Sequence, residues 1–221
     1  PALLLCSLAA WDDAGRPPAV ATTGHSLGEY AALVAGGALD FDDAVVLVDE
    51  RAAAMAHAAV TTEGGMVAVL GGELGAVDDL AAQLGLTVAN DNAPGQVVLS
   101  GRLDAVAVAE EHAREIGARA RRLDVGGAFH SPLMEPAIER LAAALAGVDF
   151  RAPDTPVYSC GTAAPFVDPR RELAENLLRP VRWRETVLAM RDAGVERFVE
   201  IGPGRVLTGT VRRIVPEAAA A

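Results

Sequence analysis

The chain has 221 residues, 51% hydrophobic and 22% charged, with a net charge of −11 at pH 7; it can bury a sizeable core, and its acidity argues against binding nucleic acid or an anionic membrane surface. No stretch approaches about 18 uninterrupted apolar residues, and no basic segment with an apolar run and cleavage site opens the chain, so neither a membrane span nor secretion is expected. Cys6 and Cys160 lie far apart without metal-ligand spacing and read as reduced thiols of a cytoplasmic protein with no metal site, while the 19 basic residues, all arginine, read with the abundant alanine as genome composition.

Residues 1–11 read as a largely buried helix, ended by the polar turn Asp12-Asp13-Ala14-Gly15. A buried helix at the very start makes the chain read as one that begins partway into a domain. The apolar run 18–23 leads as a strand into Gly24-His25-Ser26-Leu27-Gly28, and a helix follows over 30–35. Strand, sharp turn and helix around Gly-x-Ser-x-Gly form the arrangement that holds a serine hydroxyl exposed, and a side chain at either glycine is expected to crowd the turn. Gly36-Gly37 closes that helix, Asp40 is the expected N-cap of the next, and 41–59 carry Val45, Val46, Val48 and Met55 on an apolar face.

From Gly64 the pattern changes to a strand over 66–70, a helix over 73–84, strands over 86–90 and 96–100, a helix over 103–116 and a strand over 121–125. The order βαββαβ is that of a ferredoxin-like unit, whose neighbouring ends suit insertion into a larger fold. A small subdomain is therefore expected at 61–126, inserted in a large α/β subdomain made of 1–60 and 127–221. In the latter, a Gly-rich turn leads to a helix over 134–145, a strand over 155–159, helices over 170–178 and 183–193, a strand over 197–201, a turn at 202–204, a helix over 206–214 and a frayed tail at 218–221. Strands alternating with helices imply a mainly parallel sheet.

Ser26 is the candidate nucleophile, and a serine hydroxyl needs a base to take its proton, a task that histidine matches best. His25 precedes the serine on an extended segment, where neighbouring side chains point to opposite sides, so a structural role is expected for it. His57 and His112 read as solvated helix residues. His130, in a loop between scaffold elements, is the favoured base. The Leu27 backbone N–H is the natural oxyanion donor, and no Gly-rich loop ahead of the elbow supplies a second. Arg51 reads equally as a carboxylate clamp or as a surface residue paired with Glu50 or Asp49.

Six stretches together resemble the malonyl-CoA:acyl carrier protein transacylases: Gly24 to Tyr30; Arg51; Asn92 to Gly101; Gly127-Ala128-Phe129-His130-Ser131-Pro132-Leu133-Met134; Pro180-Val181-Arg182-Trp183; and Glu200 to Gly209. The resemblance implies an α/β hydrolase-like large subdomain with the ferredoxin-like one inserted. It implies that Ser26 takes a malonyl group from malonyl-CoA and passes it to the phosphopantetheine thiol of acyl carrier protein, with His130 as base and no cofactor. It further implies that Arg51 pairs with the malonyl carboxylate, that Phe129 filters substrate size and that Asn176 orients the histidine. The family's Gly-Gln-Gly-Ser-Gln-like loop, which carries the second oxyanion donor, is not in this sequence. An inactive truncated form, a polyketide synthase acyltransferase domain and a serine esterase stay open as alternatives. Arg182, Arg184, Arg212 and Arg213 are candidates for docking the acidic carrier, and a monomer is expected.

Overall fold

The computed structural model describes residues 1–220. The first part comprises α1 (Ala2–Asp13), β1 (Thr22–Thr23), α2 (Gly28–Ala35) and α3 (Phe41–Thr61). There follow β2 (Gly64–Gly71), α4 (Leu74–Leu84), β3 (Thr87–Ala93), β4 (Gln96–Arg102), α5 (Leu103–His112) and β5 (Ala118–Arg122). The remainder comprises α6 (Glu135–Ala146), β6 (Val157–Ser159), β7 (Ala164–Pro165), α7 (Pro169–Glu175), α8 (Trp183–Asp192), β8 (Arg197–Phe198), α9 (Val206–Ile214) and β9 (Ala219–Ala220).

The middle stretch forms a four-stranded sheet in the order β3-β4-β2-β5, with every neighbouring pair antiparallel. This is the ferredoxin-like arrangement, and the long apolar β2 is its spine, running from Gly64 opposite Arg102 to Leu70 opposite Gln96. Helices α4 and α5 cover it, burying Val67, Val69, Val77, Leu99 and Val106 in a core of their own. The last strand starts at Ala118, ahead of the expected 121, because Gly117 at φ 71° closes the 3-10 turn Ala113–Ile116 and turns the chain at once onto the edge of β2.

In the rest of the molecule β1 pairs with β6 in parallel, β7 adds an antiparallel edge, and β8 pairs with β9 in parallel. The expected tail at 218–221 is corrected here: Ala219 and Ala220 pair with Arg197 and Phe198, whose backbone groups would otherwise have no strand partner, and Ala221 lies outside the described residues. The strand expected at 197–201 is correspondingly short, since Glu200 turns back to cap α9, accepting from Leu207 N at 3.1 Å and from the Thr208 hydroxyl at 2.7 Å. The first helix is not largely buried. Leu4 and Leu8, one turn apart, are buried, whereas Leu3 and Leu5 are 58% and 42% exposed, as helical geometry requires of residues on the other face. No helix among the described residues is long and apolar enough to cross a membrane.

Helix α3 decides what reaches the site. It buries Ala44, Leu47, Val48, Arg51, Ala54, Met55 and Ala58, a stripe at helical spacing. The expected apolar face is corrected at Val46, which is exposed because it falls between the turns of that stripe. Asp40 occupies the N-cap position without a side-chain cap, its carboxylate accepting instead from Arg151 at 2.7 Å. The small sheet is tied to the chain before α8 by Asp91 N donating to Val181 O at 2.9 Å and Val181 N to Ala89 O at 2.8 Å, and Arg184 pairs with Asp91 at 2.7 Å.

Candidate active site

The chain leaves β1 at Thr23 and enters α2 at Gly28, and the intervening turn holds Ser26 at φ 53°. Left-handed backbone at a non-glycine residue is strained and persists only where surroundings enforce it. Gly24 is one enforcing element: a Cβ there would lie 2.0 Å from the carbonyl carbon and oxygen of Gly28. The expectation that Gly28 is equally constrained is corrected, since nothing lies within 4 Å of a Cβ at that position, where the turn has already opened into the helix. Ser26 N–H reaches Cys160 Sγ at 3.4 Å. No described residue accepts the Leu27 N–H, while the Gly28 and Glu29 N–H groups close the first turn onto His25 O and Ser26 O.

His130 Nε2 lies 2.8 Å from Ser26 Oγ. Its loop brings it there through a second strained residue, His130 itself at φ 57°. Ser131 fixes the approach, donating to Ala128 O at 2.7 Å and capping the 3-10 turn Pro132–Met134 by accepting from Leu133 N. On its far side the ring meets two backbone carbonyls, Asn176 O at 2.9 Å and Arg179 O at 3.0 Å. Carbonyls only accept, so the proton sits on Nδ1 and Nε2 is free to accept from the Ser26 hydroxyl. Burial, and then the nearby Arg51 charge, push the His130 pKa down to about 4. The imidazole is therefore neutral near pH 7, as a general base must be.

Asn176 thus orients the histidine through its backbone; its side-chain amide turns the other way, to Glu29. Arg179 is a partner that sequence reasoning missed. The signal was Pro180, which keeps the residue before it out of helix, so the Arg179 carbonyl, past the end of α7, has no intrahelical partner. Phe129 is half-buried where the large core meets Met66, Ala89 and Val98 of the small sheet.

Arg51 stands on the buried stripe of α3, 8% exposed, and donates from Nη2 to Ser26 Oγ at 2.9 Å. The surface-pair alternative fails, because Glu50 pairs with Arg140 at 2.8 Å and no described carboxylate lies within ion-pair distance of Arg51. A buried guanidinium without a counter-charge is costly and is matched by a planar anion.

His25 Nε2 donates to Asn92 Oδ1 at 2.7 Å, and its ring packs 5.7 Å from that of Trp183, so it links the elbow to β3 and α8. Asn92 was named from the sequence only as part of one of the six stretches, and Asn90 was not singled out. His57 and His112 are exposed, as expected. Of the carrier-docking candidates, Arg182 pairs with Glu185, Arg184 with Asp91, and Arg213 donates to Gln96 Oε1 at 2.9 Å; Arg212 and Arg213 are both exposed. No three His, Cys, Asp or Glu side chains converge among the described residues.

A serine with its base in place and an uncompensated guanidinium at its hydroxyl can make and break an acyl ester on a substrate that carries a negative group. Known proteins agree with that chemistry. The chain is 43% identical, over 97% of its length and 71% of the relative's, to the malonyl CoA-acyl carrier protein transacylase of Bacillus subtilis. It is similar to the crystal structure of a malonyl-CoA:acyl carrier protein transacylase from Xanthomonas oryzae, with TM-score 0.94 and 39% identity over 100% of this chain and 74% of that one. It also resembles a malonyl-transacylase solved in complex with a type II polyketide acyl carrier protein, with TM-score 0.93 and 37% identity over 100% of this chain and 75% of the other. The family profile described as acyl transferase domain matches residues 1–220, and the chain belongs to that family of enzymes.

Proposed function

We propose that the chain transfers a malonyl group from malonyl-CoA to the phosphopantetheine thiol of an acyl carrier protein, in fatty-acid synthesis, through a malonyl ester on Ser26. The observation that carries this reading is the buried Arg51 guanidinium, 2.9 Å from Ser26 Oγ and without a carboxylate partner among the described residues. The malonyl carboxylate supplies the missing counter-charge and so places the thioester carbonyl at Ser26 Oγ. As Oγ attacks the carbonyl carbon, its proton passes to His130 Nε2, and the Leu27 N–H donates to the developing oxyanion. Collapse of the tetrahedral adduct breaks the C–S bond, and His130 returns the proton to the departing thiolate of coenzyme A. The carrier's thiol then repeats the sequence on the ester, giving its proton to His130 and releasing Ser26. These steps use side chains and backbone alone, without cofactor or metal.

Phe129 we take as the wall that limits bulk beside the malonyl methylene, and Arg182, Arg184, Arg212 and Arg213 as the arginines among which the acidic carrier finds its contacts. We further divide the chain into a small subdomain at 61–126 and a large one made of 1–60 and 127–221; the separate core around Val67 and Leu99 supports the division. A cytoplasmic monomer completes the proposal, and Cys6 and Cys160, both free thiols, agree with a reducing compartment.

Intact-mass measurement after incubation with malonyl-CoA tests the reading. One malonyl group should be added to the wild-type chain and none to Ser26→Ala. Arg51→Gln should slow malonylation about 100-fold while leaving the slow reaction with acetyl-CoA, which has no carboxylate, little changed. An unmodified wild-type chain, or an Arg51 variant slowed equally on both thioesters, would overturn it. Holo carrier proteins of fatty-acid and type II polyketide synthesis are the acceptors to compare.

A further inference from the structure

Glu29 follows the nucleophile by three positions, yet its carboxyl is turned into the protein and only 2% exposed. No described cation pairs with it. It instead collects donors from two other parts of the chain. Ser159 Oγ and Cys160 N donate to Oε1 at 3.0 and 2.9 Å, and Asn176 Nδ2 lies 3.1 Å from each carboxyl oxygen. Asn176 Nδ2 also donates to Ser159 Oγ at 3.0 Å, closing the group on itself.

Two of these partners also touch the catalytic pair. Cys160 Sγ accepts the Ser26 N–H, and Asn176 O accepts from His130 Nδ1. The carboxyl therefore joins the helix that follows the nucleophile, the strand end beneath it and the turn that aims the base. The fit leaves no slack: a Cβ on Gly161 would lie 1.9 Å from Asn176 Oδ1. Burial pushes the Glu29 pKa up, and the hydrogen bonds from Asn176, Cys160 and Ser159 act against that rise.

We propose that Glu29 is a positioning residue, which through Asn176 and Cys160 holds the carbonyl that orients His130 and the backbone of Ser26 in one frame. The inference rests on the reading of Ser26 and His130 as the reactive pair. Glu29→Leu keeps much of the volume and removes the acceptors. It should lower kcat for transfer about 10–100-fold with the KM for malonyl-CoA within about twofold, whereas Glu29→Gln, which keeps one oxygen to accept from Ser159 and Cys160 but sets an NH2 against the Asn176 amide, should recover part of the loss. In 15N-histidine NMR of the full chain, the His130 proton, confined to Nδ1 in the wild type, should spread over both nitrogens in Glu29→Leu. If that variant fails to fold, Asn176→Ala removes the same link from the other side while retaining the backbone carbonyl.

The proposal is overturned if both variants turn over within about twofold of wild type, or if they lose thermal stability while kcat per folded molecule and the His130 tautomer stay unchanged. A glutamine variant no better than leucine also overturns it, since the oxygen it keeps still accepts from Ser159 and Cys160. A wild-type chain that takes no malonyl group, with the tautomer still shifting in Glu29→Leu, would refute the transfer reading and leave this one standing.

Discussion

The four-stranded sheet and the strands beneath the serine are held together by different forces. In the former, β2 and β4 pair without interruption from Gly64 to Leu70, and the core behind them is aliphatic. In the latter, β1 meets β6 over Thr22 and Thr23 alone, and the buried groups around that short contact include Glu29, Arg51, His130 and Asn176. Ser26 and His130 both sit in left-handed backbone. Apolar alternation makes a region stable through burial. The reacting region is held, by hydrogen bonds between distant segments, in a conformation its own residues do not favour, as strain at functional sites requires. Substitutions in the two regions should therefore separate activity from stability.

The largest expected effect falls on the reacting side. His130→Ala should slow Ser26 acylation by about 10⁴-fold or more, far beyond any loss of stability, and a rate within tenfold of wild type would remove His130 from the role of base. On the other side, Leu99→Ala, at a position with no exposure, should reduce unfolding free energy by about 2–5 kcal/mol. Urea denaturation measures that loss, and kcat per folded molecule should be unchanged; a kcat that falls with stability would erase the contrast.

A pH profile sharpens it further. A histidine serves as base above its pKa, so the acid limb of kcat/KM, which reports the free enzyme, should have its midpoint near 4. In the complex the malonyl carboxylate offsets the Arg51 charge, and the midpoint of kcat should move up toward the ordinary 6.5. The same depression means that the unfolded chain binds more protons than the native one between those values, so this residue's contribution to stability falls as pH drops from 6.5 toward 4. A kcat/KM midpoint at 6.5 or above would show that His130 is less buried than its surroundings imply.

The smallest effect separates two glycines of one motif. Gly28→Ala should change stability by no more than about 0.5 kcal/mol and leave acylation intact, since its Cβ meets nothing. Gly24→Ala, whose Cβ would overlap the Gly28 backbone, should abolish the elbow and with it the malonyl adduct. Equal behaviour of the two would show that the turn is not organised by that close approach.

Much of this was written in local pattern. The βαββαβ order followed from alternating strand and helix periodicity. The elbow followed from Gly-x-Ser-x-Gly between a strand and a helix, and His130 from its place in a loop after the inserted strands. Arg51 was legible in part: with Ala44, Leu47, Val48, Met55 and Ala58 it completes a helical stripe, but whether Glu50 answers its charge depended on Arg140, which draws that carboxylate away. Asn176 came from the family resemblance and from no local pattern; the group that meets His130 is its backbone carbonyl, with that of Arg179 beside it.

Periodicity and turn chemistry are properties of neighbouring residues, so the sequence by itself determined most of the elements, their βαββαβ order in the small subdomain and the turn that holds Ser26. The hydrogen bonds that make the site join Ser26 to His130, His130 to Asn176 and Glu29 to Asn176 across long stretches of chain. Such contacts leave no local signature, because each partner is an ordinary residue in its own segment. Only the tertiary structure decided that a Cβ at Gly28 meets nothing, that Glu29 faces inward and that Arg51 has no counter-charge among the described residues.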